Sequence, residues 1–89
     1  MSEALPQAAA PVERELFVRH ARRGGRSIAV IRAVDRGVDC VVYAEVHPLD
    51  SMGPSQAGPY VFANAAEASA FVTEAVEALM YLGCDVHAQ

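Results

Sequence analysis

Three histidines and two cysteines are the residues of this sequence that could suggest a zinc-type metal site. They are His20, His47, His87, Cys40 and Cys84. Only Cys84 and His87 form a closely spaced pair, and no second pair lies at the spacing of a zinc site. We therefore expect no metal and no other cofactor. We expect both cysteines to be free thiols that are buried as small hydrophobic side chains in a reducing compartment.

Residue patterns typical of catalysis are weak throughout the chain. Ser27 and Ser51 have no histidine and carboxylate that the sequence would place beside them. The segment Arg23-Gly24-Gly25-Arg26 is too short for a phosphate-binding loop and does not lead into a helix. Glu74 and Glu77 fall on the polar side of a predicted helix, where solvated carboxylates are common. We therefore expect no catalytic residues and a protein that is not an enzyme.

The arginines are the residues with the most suggestive placement. All seven basic residues are arginines and lie between Arg14 and Arg36, whereas nine of the 11 acidic residues lie outside that window. The formal net charge of the chain is −4. A net acidic protein is not a general polyanion binder. A basic segment on an acidic body can nevertheless contact phosphate groups or an acidic partner.

The length of 89 residues fits one hydrophobic core, built mostly from alanine and valine. A domain of this size buries only about 60–65% of its unfolded surface, so association with a second copy would stabilise it. No stretch approaches the roughly 18 apolar residues of a membrane span, and the N-terminus has no signal-peptide pattern. We expect a cytoplasmic protein without membrane contact. We interpret residues 1–12 as a disordered tail and 13–89 as a single α+β domain.

Alternation of polar and apolar residues predicts an antiparallel meander sheet of three to four strands followed by one helix, in the order β-β-β-β-α. The first three strands are predicted at 14–23, 26–35 and 38–47, joined by tight turns at Gly24-Gly25 and Arg36-Gly37. Residues 48–59 are predicted to form a loop and 60–63 a short fourth strand. The amphipathic helix begins after Asn64, ends before Gly83 and packs on one face of the sheet. Residues 84–89 either add a short edge strand or fray.

Two-residue turns would fix the pairing of the strands and therefore their faces. The face beneath the helix would then collect small apolar residues, namely Leu16, Val18, Ala29, Ile31, Ala33, Cys40, Val42, Ala44 and Val46. The opposite face, which we call the open face, would carry aromatic, aliphatic and arginine side chains. The residues that we predict to bind a partner there are Phe17, Arg19, Arg23, Arg26, Val30, Arg32 and Tyr43. Uncovered apolar area of this kind indicates a binding surface, and Arg with aromatic residues is enriched at interface hot spots.

Three interpretations of the open face follow. A second copy could bind it, with arginines paired to Glu15, Asp39 and Glu45 of that copy. Single-stranded DNA or RNA could instead stack bases on Phe17 and Tyr43 while the arginines hold phosphates. Alternatively, the arginines only lie over their own apolar neighbours. The sequence thus predicts a non-enzymatic binding module, first a homodimer or another protein's partner, with nucleic-acid binding as the alternative.

The predicted element order resembles that of the Pur-alpha repeat, a nucleic-acid-binding fold, and that of HicB-like antitoxin domains. This resemblance concerns the order of the elements alone, because the sequence carries no diagnostic motif of either family.

Overall fold

One antiparallel sheet and one helix make up the part of the chain that the structure describes. The structure is a computed structural model and describes residues 13–48 and 53–88. The elements are β1 (Arg14–Arg23), β2 (Arg26–Asp35), β3 (Cys40–Val46), β4 (Ser55–Phe62), α1 (Ala65–Tyr81) and β5 (Asp85–Ala88). The strand order is β4-β3-β2-β1-β5, and α1 packs against β2, β3, β4 and β5. The predicted α+β class is therefore confirmed, with five strands instead of three or four. The predicted tail at 1–12 lies outside the described residues.

The start of α1 is fixed by side chains that satisfy free backbone N–H groups. Asn64 is the N-cap, and its side-chain oxygen accepts a hydrogen bond from the Glu67 N–H at 2.9 Å. The Glu67 carboxylate accepts in return from the Ala63 N–H at 3.3 Å, one residue before the cap. This reciprocal arrangement is close to a capping box, and Glu67 also lies at the end of the helix dipole that favours a negative charge.

The end of α1 is closed by glycine in the left-handed conformation. Gly83 has a φ of +94°, and its N–H donates to the Met80 carbonyl at 3.0 Å. The Cys84 N–H donates to the Leu79 carbonyl at 3.0 Å. These two bonds form a Schellman motif, which returns the chain towards the sheet so that β5 can pair with β1.

The core lies between α1 and the sheet. Its buried members are Ile31, Ala33, Cys40, Val42, Ala68 and Val72, and a smaller cluster contains Ala21, Ala29 and Cys84. Both cysteines are buried free thiols, as predicted. Burial raises the pKa of the Cys40 thiol, and the nearby carboxylates of Asp35 and Asp39 raise it further.

The β1–β2 hairpin departs from the predicted register through two bulges. Pairing begins as predicted, with Arg23 opposite Arg26, but Ile28 is then an extra residue on β2, so Ala21 faces Ala29. A second irregularity at Leu16 restores the original register at the far end of the hairpin. The predicted pairs of Ala21 with Ile28, Arg19 with Val30, and Phe17 with Arg32 are therefore wrong, and so are the alternate pairs between them.

The physical reason for the first bulge is the burial that it permits. A bulge places two consecutive residues on roughly the same side of a strand, and Ile28 and Ala29 both contact the cluster around Ala21 and Cys84. Without the bulge, His20 would lie beneath the helix in place of Ala21, which is 1% exposed. Burial of an imidazole without a hydrogen-bond partner is unfavourable, so the slipped register is the stable one.

The turn between β2 and β3 contains four residues, 36–39, instead of the predicted two. The Arg36 N–H donates to the Asp39 carbonyl at 2.9 Å, and Gly37 has a φ of +92°. The register consequently shifts by two residues, so that Ala33 pairs with Val42 instead of Cys40. A shift of two preserves the faces of both strands, and the predicted helix-side residues of β2 and β3 are confirmed.

The segment predicted as a loop at 48–59 is shorter than expected. Strand β4 begins at Ser55 and continues through a bulge in which Gly58 and Pro59 lie opposite Tyr43. Gly58 has a φ of +90°, and the peptide bond between these two residues is cis. Glycine and proline weaken a strand prediction from sequence, yet both are tolerated at a bulge in an edge strand. Residues 49–52 of that loop lie outside the described residues.

Candidate functional site

The centre of the open face is formed by side chains of β2 and β3. Arg32 lies directly opposite Tyr43 in the ladder, with its guanidinium carbon 5.3 Å from the ring centroid. This distance is within the range of a cation–π contact. Together with Val30, Glu45 and Gln56, the pair lines a shallow depression of about 270 Å³. Three predicted site residues, Val30, Arg32 and Tyr43, are therefore brought together.

A floor of valines surrounds this pair. Val18, Val34 and Val41 lie on the face opposite α1 and are 8%, 4% and 1% exposed, respectively. Val18 is thus a correction, because it was predicted beneath the helix and instead pairs with Arg32 on the open face. At the β4 edge of the same face Val61 is 59% exposed. The open face therefore consists of a packed apolar floor with Arg32, Tyr43 and the edge residue Val61 accessible above it, and with His20 and exposed Arg22 towards the Gly24-Gly25 turn.

The charges on the open face are mixed. The Glu45 carboxylate lies 3.5 Å from His47 Nε2, and Glu15 lies opposite Val34. Within the described parts of the chain, Arg32 has no carboxylate within 4.0 Å, and its guanidinium lies over the Tyr43 ring. An arginine in this state keeps its capacity for a bidentate bond to a carboxylate.

Asp39 is not available as one of the predicted carboxylate partners. Its two oxygens accept hydrogen bonds from Arg36 Nε and Nη2, each at 2.8 Å. The Arg36 hydrogen bonds hold the pKa of the Asp39 carboxyl below its ordinary value of 3.8. The pair stabilises the β2–β3 turn, so only Glu15 and Glu45 remain as open-face carboxylates from the predicted set.

Phe17 and Arg19 are corrections to the predicted open face. The bulge at Ile28 turns both towards the helix side, where they line a cleft with Val72 and Val76 of α1. The Arg19 guanidinium carbon lies 4.8 Å from the Phe17 ring centroid. This second arginine–ring pair is therefore on the opposite side of the sheet from the first one, and the two rings do not form one stacking platform.

Arg23 and Arg26 are also displaced from the open face. They flank the Gly24-Gly25 turn directly opposite each other, and because Arg23 lies two residues from Ala21 they share its helix-facing side. Arg23 lies at the C-terminus of α1, because its Nε is 3.6 Å from the position that a Cβ atom on Gly83 would occupy. The last turn of α1 has no basic residue, so Arg23 supplies the cation that favours this end of the helix dipole.

A further surface at the end of α1 is absent from the predicted site. Exposed apolar side chains follow one another there, with Met80, Tyr81 and Leu82 at 57%, 94% and 66% exposure. They adjoin a cleft of about 240 Å³ lined by Arg23, Ile28, Val46, His47, Pro48, Leu79, Leu82 and Cys84. The sequence shows that Met80 and Tyr81 lie off the apolar stripe of the helix. It does not show the cleft, because the cleft depends on the β2 bulge.

Other site types find little support in the described residues. Within residues 13–48 and 53–88, no group of three histidine, cysteine or acidic side chains lies close enough together to bind a metal ion. None of the helices in that part of the chain is long and apolar enough to span a membrane. Comparisons of the chain with models of known protein families, with curated proteins and with solved structures give no match.

Proposed function

We propose that the protein is a small, non-enzymatic, cytoplasmic binding module that forms a homodimer through its open sheet face. The observation that carries this proposal is the Arg32–Tyr43 pair, which lies over a valine floor on the face of the sheet opposite α1. Arg and Tyr are enriched at interface hot spots, especially at the centre of a well-packed patch. Val30 is half-buried beside them and adds apolar area that a partner would bury.

A second copy fits this face because its charges are self-complementary. Arg32 and the two carboxylates Glu15 and Glu45 lie on the same side of the sheet. In a two-fold contact the same surface of both copies takes part. Each Arg32 can therefore approach a carboxylate on the open face of the second copy. Such a pair fixes the register of the two sheets and speeds their association. A domain of this size also gains stability from the additional burial.

The nucleic-acid alternative has weaker support from the geometry. Stacking proteins present aromatic rings beside a basic groove. Tyr43 lies on the open face, whereas Phe17 lies on the helix side with Arg19 over its ring. The cations of the open face are accompanied by Glu15 and Glu45, which would repel phosphates. A protein partner is therefore the better fit.

The mass of the particle in solution tests the dimer. We expect Val30→Glu and Arg32→Glu each to halve the mass measured by light scattering. Val30→Glu would bury a charge in the contact, and Arg32→Glu would place a carboxylate against the carboxylates of the second copy. Ala70→Glu adds the same charge on the exposed side of α1 and is the matched control, which should keep the wild-type mass. Circular dichroism verifies that each variant is folded. A wild-type protein that has the mass of one chain at high concentration would overturn the proposal.

Fluorescent single-stranded oligonucleotides test the alternative separately. Bound phosphates give an affinity that falls steeply with salt. We expect no binding at low or at moderate salt. A salt-dependent affinity that Tyr43→Ala removes would replace the homodimer with the nucleic-acid alternative.

A further inference from the structure

The end of α1 presents a patch that is unlike the rest of the helix surface. Tyr81 and Leu82 are 94% and 66% exposed, although both have large apolar side chains. Contiguous exposed apolar residues of this kind mark interaction sites. We call these two residues the helix-end patch.

A cleft lies directly beside the patch. Its walls are formed mainly by apolar side chains of β2, β3 and the helix end, including Ile28, Val46 and Leu79, and its volume is about 240 Å³. This exceeds the roughly 150 Å³ engineered cavity that holds a benzene molecule. The cleft, which we call the helix-end cleft, is therefore large enough to receive an aromatic or a leucine side chain.

Arginines border the cleft without carboxylate partners. Arg23 lines it, and Arg26 lies directly opposite Arg23 in the β1–β2 ladder. Like charges that face each other across a ladder are destabilising. In the parts of the chain that the structure describes, neither arginine has a carboxylate within 4.0 Å. A carboxylate supplied from outside would relieve this repulsion.

The same surface also supplies a carboxylate. Glu77 is exposed and precedes Tyr81 by one helical turn, so the two side chains are neighbours on the helix surface. The helix-end patch thus lies between a carboxylate and the cleft with its arginines, which is what a contact between two identical surfaces requires.

We propose that the helix-end surface is a second two-fold contact between copies of this chain. Tyr81 and Leu82 of one copy occupy the helix-end cleft of the other, and Glu77 approaches Arg26 of the other copy. This contact goes beyond the proposed open-face dimer and is independent of it. With two different two-fold contacts on each copy, the smallest closed assembly is a tetramer of dihedral symmetry.

The mass of single and combined variants tests this contact. Leu82→Glu changes an exposed residue of the patch, and Val38→Glu, at a position that is 87% exposed in the distant β2–β3 turn, is its matched control. We expect Leu82→Glu to halve the mass of the wild-type assembly and Val38→Glu to leave it unchanged. In a Val30→Glu background, Leu82→Glu should convert a dimer into a monomer. The masses of the wild type, the Val30→Glu and Leu82→Glu variants and the double variant separate the two contacts.

Charge exchange tests the contact without removing apolar area. Glu77→Arg and Arg26→Glu should each weaken association at the helix end, and the double variant should restore it, because the attractive pair is rebuilt with opposite sense. The measurement is the dimer dissociation constant in the Val30→Glu background, obtained by sedimentation. Single variants that associate as tightly as their parent would overturn the proposal.

The outcomes also distinguish this inference from the proposed function. A Val30→Glu protein that is monomeric at high concentration, from a wild type that is dimeric, overturns the helix-end contact and leaves the open-face dimer standing. A wild-type dimer that Leu82→Glu dissociates and Val30→Glu leaves intact overturns the open-face dimer and supports the helix-end contact. A wild-type monomer overturns both and assigns the cleft to a different occupant.

Discussion

Arg36 and Asp39 hold the β2–β3 turn through side chains as well as through the backbone. Because hydrogen bonds from Arg36 lower the pKa of Asp39 below its ordinary value of 3.8, the folded state binds this proton less tightly than the unfolded chain does. The pair therefore stabilises the fold at pH values above 3.8, and that contribution is lost as the pH falls through the lowered pKa.

The effect of Asp39→Asn should follow from this pH dependence. We expect the variant to melt below the wild type at neutral pH, and the difference should shrink as the pH falls below 3.8. Melting curves followed by circular dichroism across this range measure it. Arg14→Gln is the control, because the Arg14–Asp35 pair has a single 3.1 Å contact and a largely exposed arginine. A difference that persists unchanged into acid would show that the side-chain pair contributes nothing.

Individual residues also show which structural features could be predicted from the sequence and which could not. The glycine of each predicted turn, the cap Asn64 and the buried thiols could be assigned because each depends on local chemistry. Phe17 and Val18 could not be assigned to faces, because Leu16, Phe17 and Val18 form an apolar run without alternation. Only a neighbouring strand decides which member of such a run is buried.

At the scale of elements, the hairpins could be predicted but their registers could not. The β2–β3 error was a shift of two residues and left the faces correct, whereas one extra residue at Ile28 reversed the middle of β1. A reversal of this kind moves every side chain of the segment to the other face. The predicted binding set was therefore divided between two surfaces by a single bulge, which is invisible in the local pattern.

The helix cap gives a prediction at the scale of one element. Asn64→Ala should lower the free energy of unfolding by about 1 kcal/mol, because the Glu67 N–H loses its 2.9 Å acceptor. Asn64→Ser retains an oxygen acceptor and should remain close to the wild type. Urea unfolding followed by circular dichroism compares the three proteins. Equal destabilisation by serine and alanine would show that the cap oxygen is not the stabilising group.

For the whole molecule, the sheet has one face covered by α1 and one that the helix leaves open. This two-layer arrangement was predictable, because small apolar residues of β2 and β3 alternate with larger and charged ones. The burial of Val34 and Val41 on the open face was not, since it depends on how side chains of neighbouring strands meet. The accessible part of that face is consequently smaller and more polar than the sequence suggested, and Arg32 with Tyr43 dominates it.

Association of copies makes the stability of the fold depend on protein concentration. Each tenfold dilution weakens association by about 0.7 kcal/mol per chain in a dimer and about 1 kcal/mol per chain in a tetramer, so the melting temperature of a domain of this size should fall by roughly 3–8 °C for each tenfold. We expect about twice this fall in the wild type over a hundredfold range of concentration, as mass action requires. The double variant Val30→Glu/Leu82→Glu lacks both proposed contacts and should melt at one temperature throughout. A wild type whose melting temperature is equally constant would mean that neither surface holds a second copy.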